Sequence, residues 1–222
     1  MKNSLLSLLF FVCFASALAQ PTIDQADWHQ GSLVLRSGLE LNGEIYFDQV
    51  TKVVLFKSQQ MIKAFSSHQV QSFKFLEQSF GILREFVAYD FNQHSHYPRK
   101  EFLEVILKGP LTLLRRHRDL PEIGVNLNTQ RVDGQPDTFD YSTGFSYFVL
   151  IQNQFVALKK FRKEILPLIS KDFSQEISQL IKEKSLHTFA LDHQIKLINH
   201  YNFLKRLQMN STFTNQEVAI HP

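Results

Sequence analysis

From Leu39 to Phe47, every second position is apolar or glycine: Leu39, Leu41, Gly43, Ile45 and Phe47, with Glu40, Asn42 and Glu44 between them and only Tyr46 out of phase. Strand side chains alternate between two faces, so this spacing predicts a strand with one buried face; a helix would repeat its apolar residues every three or four. Upstream, Leu33 and Leu35 continue the pattern. A three-residue loop, Arg36-Ser37-Gly38, sets Leu35 opposite Leu39 and Leu33 opposite Leu41, whereas a two-residue turn would set Leu35 against Glu40. Such loops end on a left-handed residue, and Gly38 takes that conformation without a Cβ clash.

Further β-rich runs follow at Lys52–Lys57, Met61–Phe65 and Val70–Phe75, separated by polar joints. A glycine-ended hairpin, a glycine inside the second strand at Gly43 where a strand can bend, and three more strands together resemble the small SH3-like barrels, including the Sm-like and PRC-barrel groups. The resemblance covers only Leu33 to Phe75. It implies a barrel-like or strongly bent sheet there. The Arg-Gly pair with which Sm proteins bind RNA is absent, so no RNA function carries over.

Met1 to Ala19 has one early cation, Lys2, then the apolar run Leu5 to Phe14, and closes on Ala17-Leu18-Ala19, the small-x-small pattern of a signal peptidase site. The apolar run is shorter than the ~20 residues a spanning helix needs. Cys13 follows Phe11 and Val12 rather than the small residue of a lipobox. Export to the periplasm or cell surface of a Gram-negative bacterium is therefore expected. Cys13 is also the only cysteine, so the cleaved chain has no disulfide and no thiolate ligand, which suits a bacterial envelope better than a eukaryotic secretory route. Removing Lys2 from the 24 cations leaves 23 against 21 acids, a balance with no electrostatic pull toward nucleic acid. Twenty-one phenylalanines against eight glycines indicate a filled core.

Later strands are predicted at Ile82–Phe91, Glu101–Leu107 and Leu111–Leu114, and a late hairpin at Phe145–Ile151 and Phe155–Lys159 joined by Gln152-Asn153-Gln154. Residues 119–142 lack any period and read as a long loop. After Lys159 the spacing becomes helical. Pro167 must kink, end or begin a first helix. Asp172 with Gln175 resembles a capping box for a second. Leu191, Ile195, Ile198, Tyr201, Leu204 and Leu207 make one stripe of a third, with His193, Lys196, Asn199, Asn202 and Lys205 facing elsewhere. The expected fold class is α+β: a mainly antiparallel β domain followed by about three C-terminal helices. Its parts are a signal peptide (1–19), a linker (20–31), a β-rich domain (32–159), a helical part (160–208) and a flexible tail (209–222). The Ala-Leu-Ala leader, the Gly31-Ser32-Leu33-Val34-Leu35 opening and Tyr201-Asn202-Phe203-Leu204 together resemble exported proteins of Gram-negative bacteria with no established activity. That resemblance implies location and shape and carries no chemistry.

Two clusters are candidate sites. His94 and His96 alternate along an extended loop and offer two imidazoles to a zinc ion, with Asp90 or Glu101 to complete the set. A stable site needs three or four ligands, so a solvated loop is the simpler reading. Lys108, Arg115, Arg116, His117 and Arg118, with Lys159, Lys160, Arg162 and Lys163, are candidates for a basic surface that meets a lipid head group or glycan. Ser146 lacks the second glycine of a nucleophile elbow, and no phosphate loop, dinucleotide fingerprint or HExxH helix is present. A transmembrane β-barrel needs at least eight strands of about ten residues, longer than most of these. The expectation is an exported non-catalytic binding or structural module with no required cofactor, contacting an envelope protein, glycan or lipid head group. The alternative is a metal-binding or hydrolytic envelope enzyme using His94 and His96.

Overall fold

The computed structural model describes residues 27–59, 61–91, 99–118 and 144–218, with side chains through Ser211. The leader, His94, His96 and the loop 119–142 lie outside the described residues. Ten strands form one antiparallel sheet: β1 (His29–Leu35), β2 (Glu40–Asp48), β3 (Val53–Ser58), β4 (Met61–Phe65), β5 (Val70–Glu77), β6 (Ile82–Phe91), β7 (Arg99–Leu107), β8 (Thr112–His117), β9 (Phe145–Ile151) and β10 (Gln154–Ala157). Three helices follow: α1 (Leu166–Asp172), α2 (Ser174–Glu183) and α3 (Leu191–Val218). The α+β class expected from the sequence is the one observed.

The opening hairpin has the expected register. Leu33 pairs with Leu41, the Leu35 amide donates to the Leu39 carbonyl at 2.9 Å, and Gly38 closes the loop at φ +86°. Closure into a barrel does not occur. The strand order is β10-β9-β8-β7-β6-β5-β1-β2-β3-β4, so β5 lies between β1 and β6 and β4 remains an edge. Of the two expected forms, barrel-like or strongly bent, the sheet takes the open, bent one, because β5 pairs onward with β6 instead of returning to β4.

The sheet curls in two opposite senses. On the first face, Phe47 of β2 reaches across three intervening strands to Phe102 of β7, with ring centroids 5.7 Å apart, and also packs on Phe73 and Phe86. These rings, with Leu33, Ile45, Val54, Phe56 and Phe75, form a phenylalanine-rich core. The bend has a steric origin. Gly43 pairs with Gly31, and a Cβ on Gly43 would sit 2.6 Å from the Lys57 carbonyl and 2.9 Å from the Phe56 ring. On the second face, Phe155 of edge strand β10 meets Tyr89 and Phe91 of β6 at 5.5 and 5.1 Å, above Leu103, Leu114 and Phe148. Alternation along β7 places Phe102 in one core and Leu103 in the other.

The helices cover the first face where it is formed by β8 and β9. Leu113 and Val149 pair across those strands and join Phe161, Ile165, Ile169, Ile177, Leu197, Ile198 and Tyr201 in a third, mostly aliphatic core. A 3-10 turn (Leu158–Lys160) and a π-helical turn (Phe161–Ile165) lead into α1, which has Pro167 in its first turn, where its missing N–H costs nothing. The β9–β10 turn is tighter than expected: Ile151 pairs with Gln154, leaving Gln152 and Asn153, both at positive φ, as a two-residue loop.

Two helix expectations are corrected. Asp172 does not cap α2; it ends α1, and its carboxylate accepts from the Tyr201 hydroxyl at 2.8 Å and pairs with Lys205 at 2.9 Å. Asn202 does not face solvent. It is 1% exposed, donates to the Leu111 carbonyl at 2.8 Å and accepts from the Leu111 amide at 2.9 Å, pinning α3 to the β7–β8 turn. Leu207, placed on the buried stripe by periodicity, is 50% exposed, because the sheet offers α3 no surface past that turn. The helical backbone of α3 continues to Val218, beyond the 160–208 boundary expected for the helical part.

Candidate functional site

Strand alternation separates the basic residues singled out in the sequence. On β8, Arg115 points to the first face and Arg116 to the second. Arg115 Nε donates to the Glu104 carboxylate at 2.6 Å, and Arg84 binds the same carboxylate through two hydrogen bonds of 2.9 Å. Arg116 pairs with Glu101 at 3.5 Å and lies over the Phe91 ring. Arg118, largely buried, donates to the Ser146 hydroxyl at 3.1 Å, and Lys108 pairs with Glu85 at 2.6 Å. Lys160 pairs with Glu164, and Arg162 stacks on Phe189. The structure therefore brings Arg115 to Glu104 and Arg116 to Glu101, and does not gather the four cations on one face. The two carboxylates considered for a metal are likewise split: Asp90 is bound to Lys100 on the first face and Glu101 to Arg116 on the second. Among the described residues, no three His, Cys, Asp or Glu side chains converge as a metal site.

Glu104 sits where the phenylalanine core gives way to the helix-covered region, flanked by Phe86, Phe102, Phe145 and His117. Burial pushes its carboxyl pKa up, but the hydrogen bonds from Arg84 and Arg115 outweigh that and hold it below the ordinary range. The space beside it is only about 10 Å³, at the lower limit of what a single water molecule requires. This cluster joins the sheet together and leaves no room for a ligand.

A concavity of ligand-sized volume, about 570 Å³, lies elsewhere among the described residues, between α2 and α3. Its apolar lining is Leu180, Leu186 and Phe203, and its polar lining is Lys184, Lys196, Arg206, His193, His200 and Asn199. The α3 contributors His193, Lys196, His200 and Phe203 recur at helical spacing, so they share one side of the helix. His193 is held in place: its Nδ1 accepts from the His187 backbone N–H at 2.8 Å, and the two imidazoles stack 5.8 Å apart. Among the described residues, no acidic side chain lines the groove. The nearest acid on α3, Asp192, pairs with Lys196 at 3.1 Å; among the described residues neither Lys184 nor Arg206 has a carboxylate partner.

Sequence reasoning placed His193, Lys196 and Asn199 on the face of α3 away from the core and assigned them no role. The available signal was the i, i+3, i+7, i+10 recurrence of His193, Lys196, His200 and Phe203. Recognising a groove also required the partner α2, which no single-helix pattern supplies.

No family model, no curated protein and no solved structure matches the chain. Among the described residues, no helix is long and apolar enough to cross a membrane.

Proposed function

We propose that this protein is a non-catalytic binding module of the Gram-negative cell envelope, exported by Met1–Ala19, and that the α2–α3 groove is its site for an anionic ligand. The observation that carries the reading is the groove's net positive charge: Lys184 and Arg206 line it without a carboxylate partner among the described residues, Lys196 is paired with Asp192, and no described lining residue is acidic. A concave surface of one sign over low-dielectric walls focuses its field on an incoming anion. The curled sheet serves as scaffold, and α3 is pinned to it through Asn202. The reading as a binding module is also supported by the state of Glu104, a buried carboxylate held ionised by two arginines and so poorly suited to proton transfer.

Inorganic phosphate is the test probe. Titration at low ionic strength, followed by NMR shifts of the α2 and α3 amides, should saturate with a dissociation constant on the order of 1 mM. It should weaken with added salt and be lost in the Lys184→Ala/Arg206→Ala double variant. Absence of any saturating shift in these helices overturns the groove as an anion site. Fractionation with N-terminal sequencing tests export, where a mature end at Gln20 is expected and intact Met1–Ala19 in the cytosol refutes it.

A further inference from the structure

The polar lining accounts for an anion, but the apolar lining does not. Phe203 is 48% exposed and shares the groove with the buried Leu186 and the partly buried Leu180. Bare phosphate would leave that apolar surface wet, whereas an acyl chain would remove it from water at roughly 25 cal/mol per Å². Resting on the anion-site reading above, we infer that the groove binds a single-chain amphiphile with one anionic head, its head on Arg206 and its chain running over Phe203 toward Leu180 and Leu186.

Arg206 is the head-group residue for three reasons. It is the one guanidinium among the groove's described lining residues, and a planar fork binds a carboxylate or phosphate through two parallel hydrogen bonds. Lys196, by contrast, is already neutralised by Asp192. Arg206 also stands three residues after Phe203, so the two are neighbours on one side of α3, and a ligand held by the head meets the ring with its first methylenes. From His193 to Arg206 the helix advances about 20 Å, enough to lie alongside one extended acyl chain. The cleft lies between two helices and so takes one chain rather than a flat bilayer. Carboxylate and phosphate heads share the chemistry that Arg206 recognises, and fatty acids and single-chain phospholipids are the corresponding sources.

The test compares probes that share a twelve-carbon chain, each below its micelle threshold, with the purified protein in calorimetric titrations. Dodecanoate and dodecyl phosphate should each bind one per chain, and the tighter of the two identifies the head. Dodecyl maltoside, with the same chain and no charge, should bind at least about tenfold more weakly, as expected for loss of one charge-assisted contact. Arg206→Ala should weaken both anionic probes about tenfold, with partial recovery in Arg206→Lys. Phe203→Ser should weaken dodecanoate and leave inorganic phosphate binding unchanged. Both side chains are exposed, so thermal midpoints should stay at the wild-type value, and a shared loss of affinity can be read as loss of the site.

Equal affinity for dodecanoate and dodecyl maltoside overturns the inference, as does a Phe203→Ser variant with wild-type affinity. Inorganic phosphate binding as tightly as dodecanoate removes the amphiphile and leaves the anion site standing. Binding only to phosphatidylglycerol vesicles, with no uptake of single-chain probes, replaces the groove ligand with a membrane surface. No binding of any probe overturns both readings.

Discussion

The two halves of the sheet solve one problem in different ways. A β-sheet must bury at least one face. The N-terminal half does so by curling: Phe47 on β2 closes over Phe73, Phe86 and Phe102, so strands supply both walls of their own core. The C-terminal half curls on its second face, where Phe155 meets Tyr89 and Phe91, and has its first face covered, with Phe161, Ile165, Ile169, Ile177 and Leu197 brought down onto Leu113 and Val149. The difference has a functional side. The self-closed half leaves no cavity of ligand size at its seam, whereas packing separate helices on a sheet leaves a cleft between α2 and α3.

The largest expected effects come from emptying each core. Phe73→Ala and Phe161→Ala remove rings that are 1% and 0% exposed, and each should cost about 3–5 kcal/mol. Because β7 carries Phe102 into the phenylalanine-rich core and packs Ile106 and Leu107 against the helix-covered one, the halves share a strand and should unfold together. Urea melts of both variants followed by circular dichroism and by fluorescence should therefore show one transition shifted to lower midpoint. Two separated transitions would break the comparison by making the halves independent units.

Next comes the junction. Glu104→Gln leaves Arg84 and Arg115 without their shared carboxylate and should cost about 3 kcal/mol at neutral pH. The sign of the pH dependence follows from its lowered pKa. The stabilisation is fully present above the unfolded value of about 4.3 and is lost as pH falls through the lower folded value, so the gap between wild type and variant should begin to narrow below about pH 4.3 and close only below the folded value. The helical half offers the contrast. Asp172, held low by the Lys205 and Tyr201 hydrogen bonds, is mostly solvated, so Asp172→Asn should cost less than about 1 kcal/mol. A gap between wild type and Glu104→Gln that stays constant from pH 7 to pH 3 would show that Glu104 is not the ionised partner.

A smaller effect tests how the helices are fastened. Asn202→Leu removes two hydrogen bonds to the Leu111 backbone and leaves that amide and carbonyl buried without partners, a cost of about 1–3 kcal/mol. Hydrogen exchange should quicken in α3 more than in β1 to β5. Uniform acceleration across the chain would mean that Asn202 supports the whole fold rather than the attachment of α3.

These positions also mark how far the residues alone could be read. Period-two alternation was enough for the strands, the register of the first hairpin and the role of Gly38, because each depends on neighbours close in sequence. Gly43 was legible as a bend, but its cause was not. That depends on Gly31 lying opposite it, a pairing with no local signature. Closure failed to follow for the same reason: β5 pairing onward with β6 is a choice between distant partners. Asn202 was misassigned because helical periodicity treats a polar side chain as solvent-facing unless its partner is known, and Asp172 because a capping box is read from spacing alone while its actual partners, Tyr201 and Lys205, lie on another helix. The basic run Arg115 to Arg118 looked like one patch only until β8 extended through it and sent alternate cations to opposite faces. The α2–α3 groove is the extreme case, since its residues come from two helices and a connection.

The smallest effects distinguish the turns of the two halves. Gly38 ends the first hairpin loop at φ +86° with nothing within 4 Å of where a Cβ would be, so Gly38→Ala meets no clash and is charged only for the left-handed backbone, about 1 kcal/mol. Gly38→Asn should cost less, since asparagine tolerates that region. In the C-terminal half the corresponding turn is made without glycine: Gln152 and Asn153 hold φ of +47° and +66°. A two-residue turn of this kind favours glycine second, so Asn153→Gly should stabilise by a few tenths of a kcal/mol, up to about 0.5. Urea midpoints with an unchanged denaturant slope measure both shifts. Opposite signs at the two turns would show that the first hairpin is already optimised for its backbone while the last is held in place by the sheet and helices around it. A destabilising Asn153→Gly would instead mean that the loss of backbone freedom on folding outweighs the relief of left-handed strain.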